Sequence, residues 1–300
     1  MRAEDLAAKF GIAGVLDFTT AGSGLVKAVV AIDGVAGEVF PQGAQVTRWE
    51  PPGARPVIFM SPNSAFAPGT ALRGGVPIIF PWFGPHRTAK EAPQHGFVRA
   101  TPWRLDSVER GAGELTMTFS LSSDEATSPF WPEPYRALYT VSFGRTLSLT
   151  MTVQNRAGHP ITFEEALHTY FAVSDIADVS VTGLSGRTYI DKTDGARRKA
   201  QDGAVTFAKH TDSVYLDTSN HRAIDDRQWR RRIAIDSDGA ASTIVWNPWA
   251  ENAAAMRDLG AEAWHGMVCV ETGNAADNEV RLAADSEHRM STQIAIAALG

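Results

Sequence analysis

Two side chains far apart in the chain have the types needed to move protons. His168 sits in Glu164-Glu165-Ala166-Leu167-His168-Thr169-Tyr170-Phe171, and Glu271 closes the apolar run Met267-Val268-Cys269-Val270-Glu271. An imidazole changes charge near neutral pH and serves as general acid or base. A carboxylate at the end of an apolar strand is costly unless it is solvated, paired or used. In an extended chain Glu164, Ala166, His168 and Tyr170 share one face, and Glu165, Leu167, Thr169 and Phe171 share the other. His168 is therefore expected on the more polar face, with Glu164 on its side; the competing reading is a surface histidine on a sandwich strand. Glu164 and Glu165 cannot flank one glycosidic bond together, because adjacent strand residues point apart. Cys269 shares the parity of Glu271 and reads as a small buried hydrophobe.

Other segments offer binding chemistry. Arg73-Gly74-Gly75-Val76-Pro77-Ile78-Ile79-Phe80-Pro81-Trp82-Phe83-Gly84-Pro85 couples a glycine pair, which permits close backbone approach, to a stiff wall of prolines and aromatics. Aromatic faces with polar neighbours suit a sugar ring. A packed loop with a surface arginine is the plainer reading. In Gln94-His95-Gly96-Phe97-Val98-Arg99, extended parity would aim His95 and Arg99 the same way. Trp246-Asn247-Pro248-Trp249 adds two aromatics, as core or as a sugar platform. The chain has no G-x-S-x-G elbow, H-E-x-x-H pair, P-loop or dinucleotide-binding glycine fingerprint, which disfavours the corresponding hydrolase, zinc and nucleotide chemistries.

The elements that must hold these residues read as strands. Residues 115–121 and 147–153 alternate apolar and polar without a break, the mark of half-buried antiparallel strands. Shorter β-rich runs cover residues 139–143, 161–173, 233–235, 243–246, 267–271 and 293–297, punctuated by Gly, Pro, Asn and Asp. Helical signal is confined to residues 3–10 and 249–259, the second closed by Gly260. Many strands, few helices and no βαβ rhythm predict one all-β domain over residues 1–300.

The 300 residues carry 28 Lys and Arg against 34 Asp and Glu, a formal net charge of -6. Nucleic acid is therefore not an expected partner, and an anionic ligand would need a local group of basic side chains. The charge run from Asp225 to Arg232 reads as a solvated loop or strand edge. A single cysteine excludes an intramolecular disulfide and a multi-cysteine metal site. Neither a signal-peptide core nor an apolar run of membrane-spanning length is present. A cytoplasmic protein is expected, with a monomer as the default.

Taken in order, these segments resemble the aldose 1-epimerase superfamily, and within it the hexose-6-phosphate mutarotases. The matches are Arg73 to Pro77 with Pro81 to Gly84, His95 to Arg99, Glu165 to Phe171, and Gly183-Leu184-Ser185-Gly186 before Tyr189-Ile190-Asp191-Lys192. Thr211-Asp212 with Val214-Tyr215, Val245 to Trp249 and Met267 to Glu271 complete the set. The resemblance implies a single antiparallel β-supersandwich of the galactose mutarotase-like kind. It also implies interconversion of sugar anomers without metal, cofactor or covalent intermediate. By motif, His168 matches the general acid and Glu271 the general base, while Arg73, His95, Arg99 and Asp212 match residues that bind sugar and phosphate. Lys192 and the Arg230-Arg231-Arg232 run stand behind the first two arginines as phosphate candidates. Ser213 and Ala172 stand where relatives often carry Arg and Asn. The resemblance leaves two alternatives: a mutarotase of free aldoses, and a sugar-phosphate binding protein without catalysis.

Overall fold

The computed structural model describes residues 2–22, 24–123 and 130–300. The strands predicted by strict alternation lie in a nine-stranded antiparallel sheet. In Tyr135–Phe143 and Leu147–Asn155 every second side chain is buried and the intervening ones are half-buried, so one face of this sheet builds the core and the other meets water. Leu149, Met151 and Val153 from this sheet pack in one cluster with Leu167, Phe171, Val245, Val268 and Val270 of the facing sheet. Each such buried side chain stabilises the fold by roughly 1.5–3 kcal/mol.

The facing sheet has eight strands. At its centre runs Met267–Asn274, in which every residue is buried. A strand covered on both faces reads as a continuous apolar run, and here that run carries Glu271. It pairs with Ser242–Asn247 on one side and with Glu165–Leu167 and Tyr170–Ala172 on the other. Thr211–Tyr215 extends the sheet beyond Ser242–Asn247.

Observed strands outrun several expected ones. Residues 293–297 belong to Glu287–Ala298, and residues 267–271 continue to Asn274. The run expected over residues 161–173 is instead three short strands, Ile161–Phe163, Glu165–Leu167 and Tyr170–Ala172. The second predicted helix covers only Trp249–Ala255. Met256 leaves helical geometry, and Gly260 (φ +92°) closes the following turn by donating its N–H to the Met256 carbonyl. A four-stranded sheet, Leu16–Ala21 to Gln45–Glu50, was not among the expected elements. Among the described residues no helix is long and apolar enough to cross a membrane.

Candidate active site

Glu165–Leu167 and Tyr170–Ala172 pair with Met267–Asn274 in one register, Glu165 opposite Asn274 and Tyr170 opposite Cys269. Continued across the gap, that register sets His168 opposite Glu271. The backbone of this segment is held on its far side by the Arg73 motif: His168 N–H donates to the Pro77 carbonyl and Tyr170 N–H to that of Gly75, each at 2.9 Å. The glycine pair makes this close approach possible. Gly74 and Gly75 both have positive φ, and a Cβ on either would sit 2.5 Å from a backbone oxygen, of Phe59 or Val46. The expected close approach is thus between backbones.

His168 Nε2 and Glu271 Oε1 lie 3.3 Å apart, with side chains 10% and 1% exposed. Both line a cavity of about 250 Å³, which also receives Arg73, His95, Arg99, Tyr170, Asp212 and Trp246. All six residues singled out from the sequence therefore converge. Burial, reinforced by Asp212, pushes the Glu271 carboxyl well above the carboxylate range. Burial, reinforced by His95, Arg99 and Arg73, holds His168 well below the usual imidazole value. These shifts place the proton of the pair on Glu271. Glu271 Oε2 has no hydrogen-bond partner among the described residues. A buried oxygen of this kind is costly unless a ligand satisfies it.

Glu164 does not serve His168. Its two carboxylate oxygens accept the backbone N–H groups of Phe83 and Ala276, so it fastens the aromatic loop to the sheet. Sharing a face with His168 does not bring Glu164 into contact with it, because both its oxygens are used at these backbone groups. Tyr170 does meet it: its ring stacks on His168 with centroids 4.8 Å apart and planes 11° from parallel. His95 accepts the Gly84 N–H at Nδ1, which leaves Nε2 to carry the ring hydrogen. Burial, with Arg99 next in effect, pulls His95 down to about 3, so it is a neutral donor.

The cations differ in how far they are engaged. Arg73 pairs with Asp258 at 2.9 Å and donates to the Tyr170 hydroxyl at 3.1 Å. Lys192 lies 3.6 Å from Asp212 and 5.1 Å from the centre of the Phe83 ring. Arg99 has no carboxylate within ion-pair distance among the described residues and donates only to the Gln94 carbonyl. Burial, with Arg73 adding repulsion, lowers its pKa. An anion in the cavity would relieve both effects. Asp258 had no sequence signal, because it reaches Arg73 from the turn after the second helix.

Two expectations fail here. The Arg230-Arg231-Arg232 run does not line the cavity. Arg231 is buried and donates to the carbonyls of Arg55, Pro56 and Ala172, and Arg232 pairs with Asp225 at the surface. The charge run from Asp225 to Arg232 is also not wholly solvated, since Asp226 is fully buried. Trp249 packs on Trp264 at 4.5 Å, so only Trp246 of that pair faces the cavity. Among the described residues no group of three His, Cys, Asp or Glu is placed to hold a metal ion.

An antiparallel β-sandwich with one buried acid–base pair in a small, cation-flanked cavity is the frame of a sugar isomerase. The chain belongs to the aldose 1-epimerase family, whose profile matches residues 31–295. It is 37% identical over 241 residues, 79% of each chain, to an Escherichia coli (strain K12) protein named "Putative glucose-6-phosphate 1-epimerase". The crystal structure of YeaD from Salmonella typhimurium is similar over 96% of both chains, with a TM-score of 0.90 and 33% identity. A galactose mutarotase-like protein from Clostridium acetobutylicum shares the fold at a TM-score of 0.73 and 12% identity, over 94% of this chain and 98% of that one.

Proposed function

We propose that the protein interconverts the α and β anomers of a hexose 6-phosphate, glucose 6-phosphate foremost, with Glu271 as base and His168 as acid. The observation that carries this reading is the 3.3 Å contact between these two buried groups, opening into a cavity that also holds the carboxylate-free Arg99. The printed name of the Escherichia coli relative supports the substrate class.

Ring opening removes the proton of the C1 hydroxyl and delivers one to the ring oxygen as the C1–O5 bond breaks. The two oxygens share one carbon, so a base and an acid in mutual contact can reach both. Glu271 takes the C1 hydroxyl proton while His168 gives one to O5. The open-chain aldehyde rotates about C1–C2, and the O5 hydroxyl adds to the other face with both transfers reversed. No atom is gained or lost. Each positioned acid or base contributes about 100- to 10,000-fold.

The reactive state needs Glu271 as carboxylate and His168 as imidazolium, the reverse of the arrangement that burial favours. The two arrangements hold the same number of protons and differ by one transfer across the 3.3 Å contact. A phosphate dianion beside Arg99, Arg73 and Lys192 would weaken the cationic field on His168 and favour that transfer. The neutral His95 and the carboxylate of Asp212 supply a donor and an acceptor for hydroxyls, and Trp246 and Tyr170 supply apolar faces.

Exchange NMR between the anomers of glucose 6-phosphate, with and without protein and with free glucose in parallel, tests the reading. Acceleration of the phosphorylated sugar well beyond that of free glucose is expected. Preference for free glucose would favour an aldose mutarotase. Absence of acceleration for any hexose or hexose phosphate would remove the enzymatic reading.

A further inference from the structure

A second cleft lies outside the cavity described above. It has a volume of about 660 Å³ and is walled by the turn Pro51 to Arg55, by Arg145 and Thr146, by Trp229 to Arg231, and by Ala295 to Ala298. Among the described residues four arginines and no carboxylate line it. Arg231 is already engaged by Asp226 and by three backbone carbonyls. Arg55, Arg145 and Arg230 are exposed and take part in no ion pair among the described residues. The Arg55 guanidinium carbon lies 5.4 Å from the centre of the half-buried Trp229 ring, and that of Arg231 lies 4.6 Å from it.

Three exposed guanidinium groups around one hollow make a local concentration of positive charge. In a chain of net charge -6, acidic partners would have been easy to place. The backbone adds donors. Glu287–Ala298 pairs with Leu147–Asn155 only as far as Ile294 opposite Leu147, while its other edge is paired to Ala298. From Ala295 onward the edge facing the cleft therefore has no strand partner among the described residues. Guanidinium forks and free amide N–H groups are the donors that hold phosphate oxygens.

We infer that this cleft, formed by Arg55, Arg145, Arg230 and the free edge at Ala295–Ala298, binds an oligophosphate anion bearing two or more phosphate groups. The phosphate chain is the recognised chemistry, whether it comes as an inorganic oligophosphate or as the tail of a nucleotide that also meets Trp229. The inference is independent of what the catalytic cavity turns over.

Calorimetric titration of the whole protein with inorganic triphosphate and, separately, with a nucleoside triphosphate is the test. Glucose 6-phosphate is present throughout, so that the cavity cations are occupied. Saturable binding at one site is expected, weakened at least tenfold in R55A/R145A/R230A, all exposed positions that do not line the catalytic cavity. Anomer exchange by that variant should stay at the wild-type rate, which shows it is folded. Tighter binding of the nucleotide than of triphosphate, lost in W229A, would identify the nucleotide as the source; equal binding would identify the phosphate chain alone. Absence of saturable binding of either probe, affinity unchanged in the triple variant, or affinity lost in R99A instead, would overturn the inference.

Discussion

His168 and Glu271 are cross-strand partners, set opposite each other by the register that pairs Glu165 with Asn274 and Tyr170 with Cys269. Their meeting at 3.3 Å is thus a property of the sheet. A slip of one residue would turn Glu271 to the other face. Glu271 also stands opposite Ile244 on its other side, so the carboxylate is walled by an apolar neighbour and an imidazole. H168A and E271Q should each lower kcat by about 100- to 10,000-fold, with melting temperatures close to wild type. Exchange NMR and thermal denaturation give the two readouts. A near-normal rate in either variant would remove that residue from the chemistry.

Arg99 and Arg73 should separate by substrate. Arg99 lacks a carboxylate partner among the described residues, whereas Arg73 is tied to Asp258 and Tyr170. A hydrogen bond to a charged group is worth about 1.5–3 kcal/mol, so R99A should raise KM for glucose 6-phosphate at least tenfold and leave KM for free glucose nearly unchanged. R73A should impair both sugars, because it also releases the Tyr170 ring that stacks on His168. Equal losses for both sugars in R99A would show that Arg99 does not read the phosphate.

The titration of His168 provides a check without turnover. Burial, with His95 and the cations Arg99 and Arg73 adding to it, holds its folded pKa well below 6.5. Its imidazole ¹H resonance in the substrate-free protein should therefore stay flat as pH falls from 8 to 6.5. In R99A, where one repelling charge is gone, the midpoint should rise. A wild-type midpoint at or above 6.5 would contradict the packing described for the cavity.

Much of this site could be read from residue order. The unbroken alternation of residues 115–121 and 147–153 marked the outer sheet because one face meets water and the other the core. Parity alone put His168 and Tyr170 on one side, and they do stack. Parity could not give distance: Glu164 points away from Glu165, which meets His288 of the facing sheet, yet its oxygens go to Phe83 and Ala276 and not to His168. The first sheet was missed because its strands do not alternate apolar and polar strictly, as in Leu25-Val26-Lys27-Ala28-Val29-Val30-Ala31-Ile32. Yet Ile32-Asp33-Gly34-Val35 carries a hairpin signal, and both Asp33 and Gly34 adopt the positive φ that a type I′ turn demands. Asp258 could not have been found, because nothing local links a turn after a helix to an arginine 185 positions earlier.

A second imidazole–carboxylate pair should govern stability. Glu165 is fully buried, and its Oε1 lies 2.8 Å from His288 Nε2 and 3.0 Å from Asn274 Nδ2. His288 comes from Glu287–Ala298 of the facing sheet, so the contact bolts the two sheets together beneath the strand that carries Glu271. Burial works against the charge on His288, but Glu165 outweighs it and raises the pKa above 6.5. A raised folded pKa means that the stabilisation is complete below the unfolded value, ~6.5, and fades as pH climbs through the folded one. The melting temperature should therefore fall between pH 6.5 and 8.5, and E165Q, which removes the charge but keeps an acceptor for Asn274, should flatten that slope. H288A leaves a buried carboxylate without its cation, and should cost roughly 3–5 kcal/mol, towards the lower figure because His288 itself reaches solvent. An identical pH slope in wild type and E165Q would show that the pair is not charged in the folded protein.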